Sequence, residues 1–216
     1  VAHLGVTVLA GSRFEEDHEV GLAHFLEHSI FKGTDKRKAF HILSRLDSVG
    51  GELNAYTTKE EICLYGSFVK THLNRAAELL SDIAINSNFP EKEIQKEKEI
   101  VLDELNSYLD NPSDKIFDDY EALIFPNHPL GNNILGTPES VQSFSRESLK
   151  SYVDKFFFTE NAVISFVGDI PLNTLVKCLE KHFHSMPSGK AKAIPRPFNH
   201  YAAVKKRVEE GNYQAH

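Results

Sequence analysis

His24-Phe25-Leu26-Glu27-His28 gathers two metal-binding imidazoles and a proton-accepting carboxylate into five residues. In a helix, positions four apart lie about 40° apart around the axis, so both rings can reach one ion and Glu27 falls on the same face. A zinc ion that acts on water takes three protein ligands and keeps a fourth position open, so a further donor must come from elsewhere in the chain. The helical stretch from Glu91 to Tyr108 offers two: Glu97 and Glu104 share one stripe with Ile94, Val101, Leu105 and Tyr108. Ionised carboxylates on an apolar face are costly unless paired or metal-bound, and a nearby cation would account for both. Spacing does not choose between them: either could be the ligand, and the other would then accept a hydrogen bond from a ligating histidine. A plainer reading also stands, in which Lys92, Lys96 and Lys98 make this helix a salt-bridged, solvated face.

The elements that must position these residues follow from hydrophobic period and breakers. Val1 to Ala10 reads as a buried strand that ends at Gly11-Ser12. Glu19 to Phe31 reads as a helix, and a second helix carrying Ile42, Leu43, Leu46 and Val49 stops at Gly50-Gly51, where glycine supplies a left-handed cap. Leu53 to Thr58 and Ile62 to Val69, split by Lys59-Glu60-Glu61, suggest an antiparallel hairpin. Helices are expected over Thr71 to Ser87 with Thr71 as N-cap, Glu91 to Tyr108, Ser113 to Ile124, Ser145 to Phe157, and Leu172 to His182. Pro126 to Pro138 reads as a loop, Ala162 to Val167 as an apolar strand, Pro187 to His200 as a connector, and alternation resumes from Tyr201 to Val208. The sum is an α+β layer, a largely antiparallel sheet with packed helices, organised as a single domain over residues 1–216.

Composition bounds the function. The chain has 216 residues, 41% hydrophobic and 25% charged, with a formal charge of −7, so it can bury one sizeable core. No cluster of Lys and Arg dominates, which argues against nucleic acid or an anionic membrane as partner, and no run approaches the roughly 18 apolar residues of a membrane span. Cys63 and Cys178 fit reduced core thiols. The expected setting is cytoplasmic, although the chain opens at Val1 inside a strand-like run, as it would after loss of a leader. His182 and His184 read as exposed, His18, His41, His72 and His128 as isolated, and Phe156-Phe157-Phe158 as packing.

The residues from His24 to His28, followed by Ile30-Phe31-Lys32-Gly33-Thr34, resemble the pitrilysin and mitochondrial-processing-peptidase family, the M16 inverted zincins. The resemblance spans almost the whole chain. It takes in Gly11-Ser12-Arg13, Gly50-Gly51 with Asn54-Ala55-Tyr56-Thr57, Phe125 with His128-Pro129, and Gly136-Thr137-Pro138-Glu139. It implies that Zn²⁺ is held by His24, His28 and Glu104, that Glu97 is a supporting acid, and that Glu27 is the general base to a zinc-activated water. It further implies that Asn54, Ala55 and Tyr56 form an edge along which peptide substrate pairs, and that a second homologous half completes the enzyme, in cis or on a partner subunit. The expected activity is that of a zinc metalloendopeptidase on short or unfolded peptides. The alternatives are a non-catalytic scaffold of the same family and a metal-dependent lyase of the S-ribosylhomocysteine lyase type, which uses a cysteine as third ligand.

Overall fold

The computed structural model describes residues 1–192 and 194–198, with Lys206 and Val208. The strand expected over Tyr201 to Val208 and much of the end of the connector lie outside the described residues. Strand β1 (Ala2–Val8) forms because Leu4, Val6 and Val8 share one face of the pleat, and all three are buried. It lies between β3 (Ile62–Phe68) and β4 (Ala162–Val167), and β2 (Glu52–Thr57) adds outside β3, giving the order β2-β3-β1-β4 with every pair antiparallel. The helices and the core lie against one face. Helix α1 (Leu22–Ile30) and α2 (Ala39–Asp47) pack on β2, whereas α3 (Leu73–Asn86) packs on β1 and β3. The other face presents Tyr56, Val163 and Val167 to solvent.

Helix α4 (Glu91–Leu109) crosses α1 and is followed by α5 (Pro112–Ile124), α6 (Pro138–Ser143), α7 (Arg146–Phe156) and α8 (Leu172–Phe183). Among the described residues, no helix is long and apolar enough to cross a membrane. Phe25 on α1 meets the Phe144 ring at 5.3 Å, and Tyr152 on α7 donates its hydroxyl to the Ala10 carbonyl at 3.1 Å. These contacts tie α1 and β1 to the later helices.

Two expectations change. Thr71 is not an N-cap: the chain leaves β3 through a 3₁₀ turn at Lys70–His72, which places Thr71 inside the turn and His72 at the boundary of α3, with no side-chain cap. The stretch before Ser145, read as a loop up to Pro138, turns directly into α6, whose start is a reciprocal cap in which Thr137 and Ser140 exchange side-chain and backbone bonds behind Pro138 at the first position. Gly50 ends the α2 segment with a positive φ of 72°, as expected.

Candidate metal centre

Helix α1 is amphipathic in an unusual sense: Leu22, Phe25, Leu26 and Ile30 enter the core, while His24, Glu27 and His28 face α4 and the β2 edge. His24 is buried and His28 half-buried, their rings 4.7 Å apart. On α4, Glu104 reaches both, with Oε1 at 3.8 Å from His24 Nε2 and Oε2 at 3.3 Å from His28 Nε2. Ligand atoms of the three residues all lie within 4.8 Å of one another. Donors at about 2.0 Å from a tetrahedral zinc lie about 3.3 Å apart, so the group is close to ligating geometry.

The two glutamates of α4 part company here. Glu97 is buried; it takes the Lys32 ammonium on Oε1 at 2.7 Å and meets His28 Nδ1 from Oε2 at 3.4 Å. Glu104, two turns on, stands at the rim of the apolar stripe with its side chain 45% exposed. The solvated-face reading therefore fails for Glu97 and for Lys98, which is buried and donates to the Gln142 carbonyl at 2.7 Å, but it holds for Lys96, paired with Glu93.

The electrostatics suit a cation. Burial lowers His24 to about 4, helped by His28, so its imidazole is neutral and able to ligate at neutral pH. Its Nδ1 is buried with no hydrogen-bond partner among the described residues, and Nε2 is the nitrogen that faces Glu104. Burial works against a charged His28, but the Glu97 hydrogen bond and the carboxylates of Glu104, Glu27 and Glu97 outweigh it and raise its pKa. Burial alone would raise Glu97; the bonds and charges of His28 and Lys32 hold it below the usual carboxylate value. Burial raises Glu27, which accepts a 2.6 Å hydrogen bond on Oε2 from Thr57 of β2. Three carboxylates thus surround the imidazoles, with Lys32 as the neighbouring ammonium. These residues fit zinc.

Two participants add to the predicted set: Lys32, which belongs to the resemblance without a role of its own, and Thr57, expected only as the end of the edge strand. Lys32 lies two residues beyond the end of α1, in the bend that follows it, from which its ammonium reaches Glu97. Thr57 follows Ala55 by two, the strand period that turns both toward α1. Replacing Lys32 by methionine removes one of the two partners, with His28, that hold Glu97 ionised. Loss of a group supporting a ligand typically weakens metal binding by about 10-fold or more, and we expect that loss in a competition titration against a chromophoric chelator. Unchanged affinity would show that Glu97 orients His28 unaided.

Among the described residues strand β2 is outermost in the sheet, with Ala55 turned to the helices and Asn54 and Tyr56 on the open face. The Asn54 Oδ1 accepts the Ala55 N–H at 2.8 Å. Cys63 faces away from the metal cluster and takes a 3.4 Å bond from the Thr7 hydroxyl; both cysteines are free, and the metal-ligating group contains neither. His128, read as isolated, is instead buried and built in: Nε2 meets the Arg196 carbonyl at 2.9 Å, and Nδ1 accepts from Leu130 N–H at 3.2 Å. His182 meets Asn74 Oδ1 of α3 at 2.9 Å and His184 the nearby Lys181 carbonyl, and both stay outside the cluster.

A carboxylate from one helix and a pair of imidazoles from another, set under an antiparallel sheet, form a group that could hold a metal ion. The chain belongs to the insulinase family, peptidase family M16, whose model matches residues 1–138, and the model of the M16 inactive domain matches residues 143–216. It is 37% identical over 214 residues to the uncharacterized zinc protease YmxG of Bacillus subtilis, covering 99% of this chain and 52% of that one. It is 36% identical over 187 residues to a probable mitochondrial-processing peptidase subunit beta of Arabidopsis thaliana, covering 87% of this chain and 35% of that one. A solved protease from Helicobacter pylori superposes with a TM-score of 0.84 at 25% identity, over 91% of this chain and 48% of that one. The chain thus spans about half the length, or less, of the curated relatives it matches.

Proposed function

We propose that this chain is the zinc-bearing part of a metalloendopeptidase that hydrolyses peptide bonds in short or unfolded peptides. The observation that carries the proposal is the convergence of His24, His28 and Glu104 on one point, with Glu27 beside them and outside the ligand group. When bound, zinc would supply a Lewis acid that lowers the pKa of a coordinated water and draws charge from a carbonyl oxygen. The chain's own residues do the rest. Thr57 holds Oε2 of Glu27, which leaves Oε1 to accept the proton of the attacking water and return it to the leaving amine. Glu97, held by Lys32, fixes the ring of His28. Asn54, Ala55 and Tyr56 on the β2 edge would take the substrate as an added strand, a mode that reads backbone and therefore accepts many sequences.

The relatives' greater length supports a second half, on the same polypeptide or a partner subunit, that completes the substrate chamber. The test is elemental analysis of the purified protein beside His24→Ala and Glu104→Gln, followed by cleavage of an unfolded peptide by the zinc-loaded parent. We expect about one zinc per chain in the parent and far less in both variants. A parent that takes up no zinc at neutral pH would overturn the proposal in favour of a scaffold role.

A further inference from the structure

Glu15 is a carboxyl that the fold hides from water, 3% exposed, with no ion pair among the described residues. It follows the 3₁₀ turn at Ser12–Phe14, and both its oxygens are directed at the beginning of α1: Oε2 accepts the Gly21 N–H at 3.0 Å and Oε1 the Ala23 N–H at 2.8 Å. The first N–H groups of a helix have no partner within it and must find one outside. Normally the residue at the boundary supplies an oxygen, but here that residue is Gly21, with φ of +92° and no side chain. A local cap is sterically closed, because a Cβ at Gly21 would come within 2.6 Å of Gly136 Cα in the turn before α6. Glu15 reaches across from upstream to do what Gly21 cannot.

Ala23 directly precedes His24, and each residue of a helix turns the face by about 100°. A start that frays or slips by one residue would swing His24 away from Glu104 before it disturbed His28, one turn deeper. We infer that Glu15 is a positioning residue for the metal centre: by clamping the N–H groups of Gly21 and Ala23 it fixes where α1 begins, and thereby the orientation of His24 toward α4. This inference rests on the zinc reading above.

The test compares Glu15→Ala and Glu15→Gln, the latter keeping one carbonyl acceptor, with Leu175→Ala, a core truncation on distant α8. Two quantities are read in each: amide hydrogen exchange over residues 21–25, and zinc affinity by chelator competition. In Glu15→Ala we expect exchange at least about 10-fold faster and zinc affinity about 10-fold weaker. Glu15→Gln should recover part of both, and Leu175→Ala should leave both near the parent. Parent-like zinc affinity in Glu15→Ala, or an equal loss in Leu175→Ala, would overturn the inference and reduce Glu15 to a general stabiliser. Should Glu15→Ala not fold, parent-like exchange and affinity in Glu15→Gln would overturn it equally. A parent that binds no zinc defeats the peptidase reading instead, and the clamp is then judged by exchange alone.

Discussion

Glutamine in place of Glu27 should leave the zinc content of the protein unchanged and lower its peptide hydrolysis about 1,000-fold. The substitution preserves shape and still offers Thr57 an acceptor, but an amide cannot take a proton from water. Glu27 lies outside the group that could hold a metal, so on the proposed reading its substitution separates proton transfer from metal binding. Burial raises its carboxyl, which makes it a better proton acceptor than an exposed carboxylate, and the Thr57 bond fixes which oxygen remains for the task. The measurement is steady-state cleavage of an unfolded peptide by the full-length protein, with zinc quantified in the same preparation. Activity within 10-fold of the parent would mean that another group accepts the proton.

The second large effect concerns stability. Asp82 on α3 is 2% exposed and accepts three bonds, from Thr34 Oγ1 at 2.8 Å, Arg37 Nη1 at 2.5 Å and Asn86 Nδ2 at 3.0 Å. Asp82→Ala leaves those donors without their acceptor, although Arg37 keeps its two bonds to Glu78. Breaking a buried ionic network of this kind costs about 3 kcal/mol. Denaturant titration should show that loss as a lower midpoint at an unchanged slope; a change under about 1 kcal/mol would show that Arg37 and Thr34 re-pair elsewhere. The consequence reaches the metal centre, because Thr34 anchors the bend that follows α1 and bridges to Ser87. Lys32, the partner of Glu97, begins that bend.

Much of this was legible in the sequence, for physical reasons that also mark where legibility stops. Period 3.6 placed α1 and α4, and the motif on α1 named its own chemistry. Both Glu97 and Glu104 lie on the stripe of α4, and periodicity could not tell a buried acid from a rim ligand, since that depends on how far along the crossing with α1 each falls. Resemblance supplied the choice; in the structure Glu104 stands 3.8 Å from His24 and 3.3 Å from His28, while Glu97 meets His28 from its other side. Thr71 was misread because a 3₁₀ turn shifts a helix boundary without altering composition. Helix α6 was missed because six residues do not complete a hydrophobic period. Glu15 carries no motif signal at all, since its partners are main-chain N–H groups that every sequence possesses.

The outer position of β2 has a further consequence. A strand that leaves its edge open to visiting chains is equally open to other copies of itself, and unguarded edges seed aggregation. The exposed Glu52 at one end of β2 puts a charge on the edge where two such strands would meet, while Glu60 just beyond the other end is paired with Arg13. An edge that on the proposed reading would take up a stray polypeptide is thereby made less hospitable to its own kind.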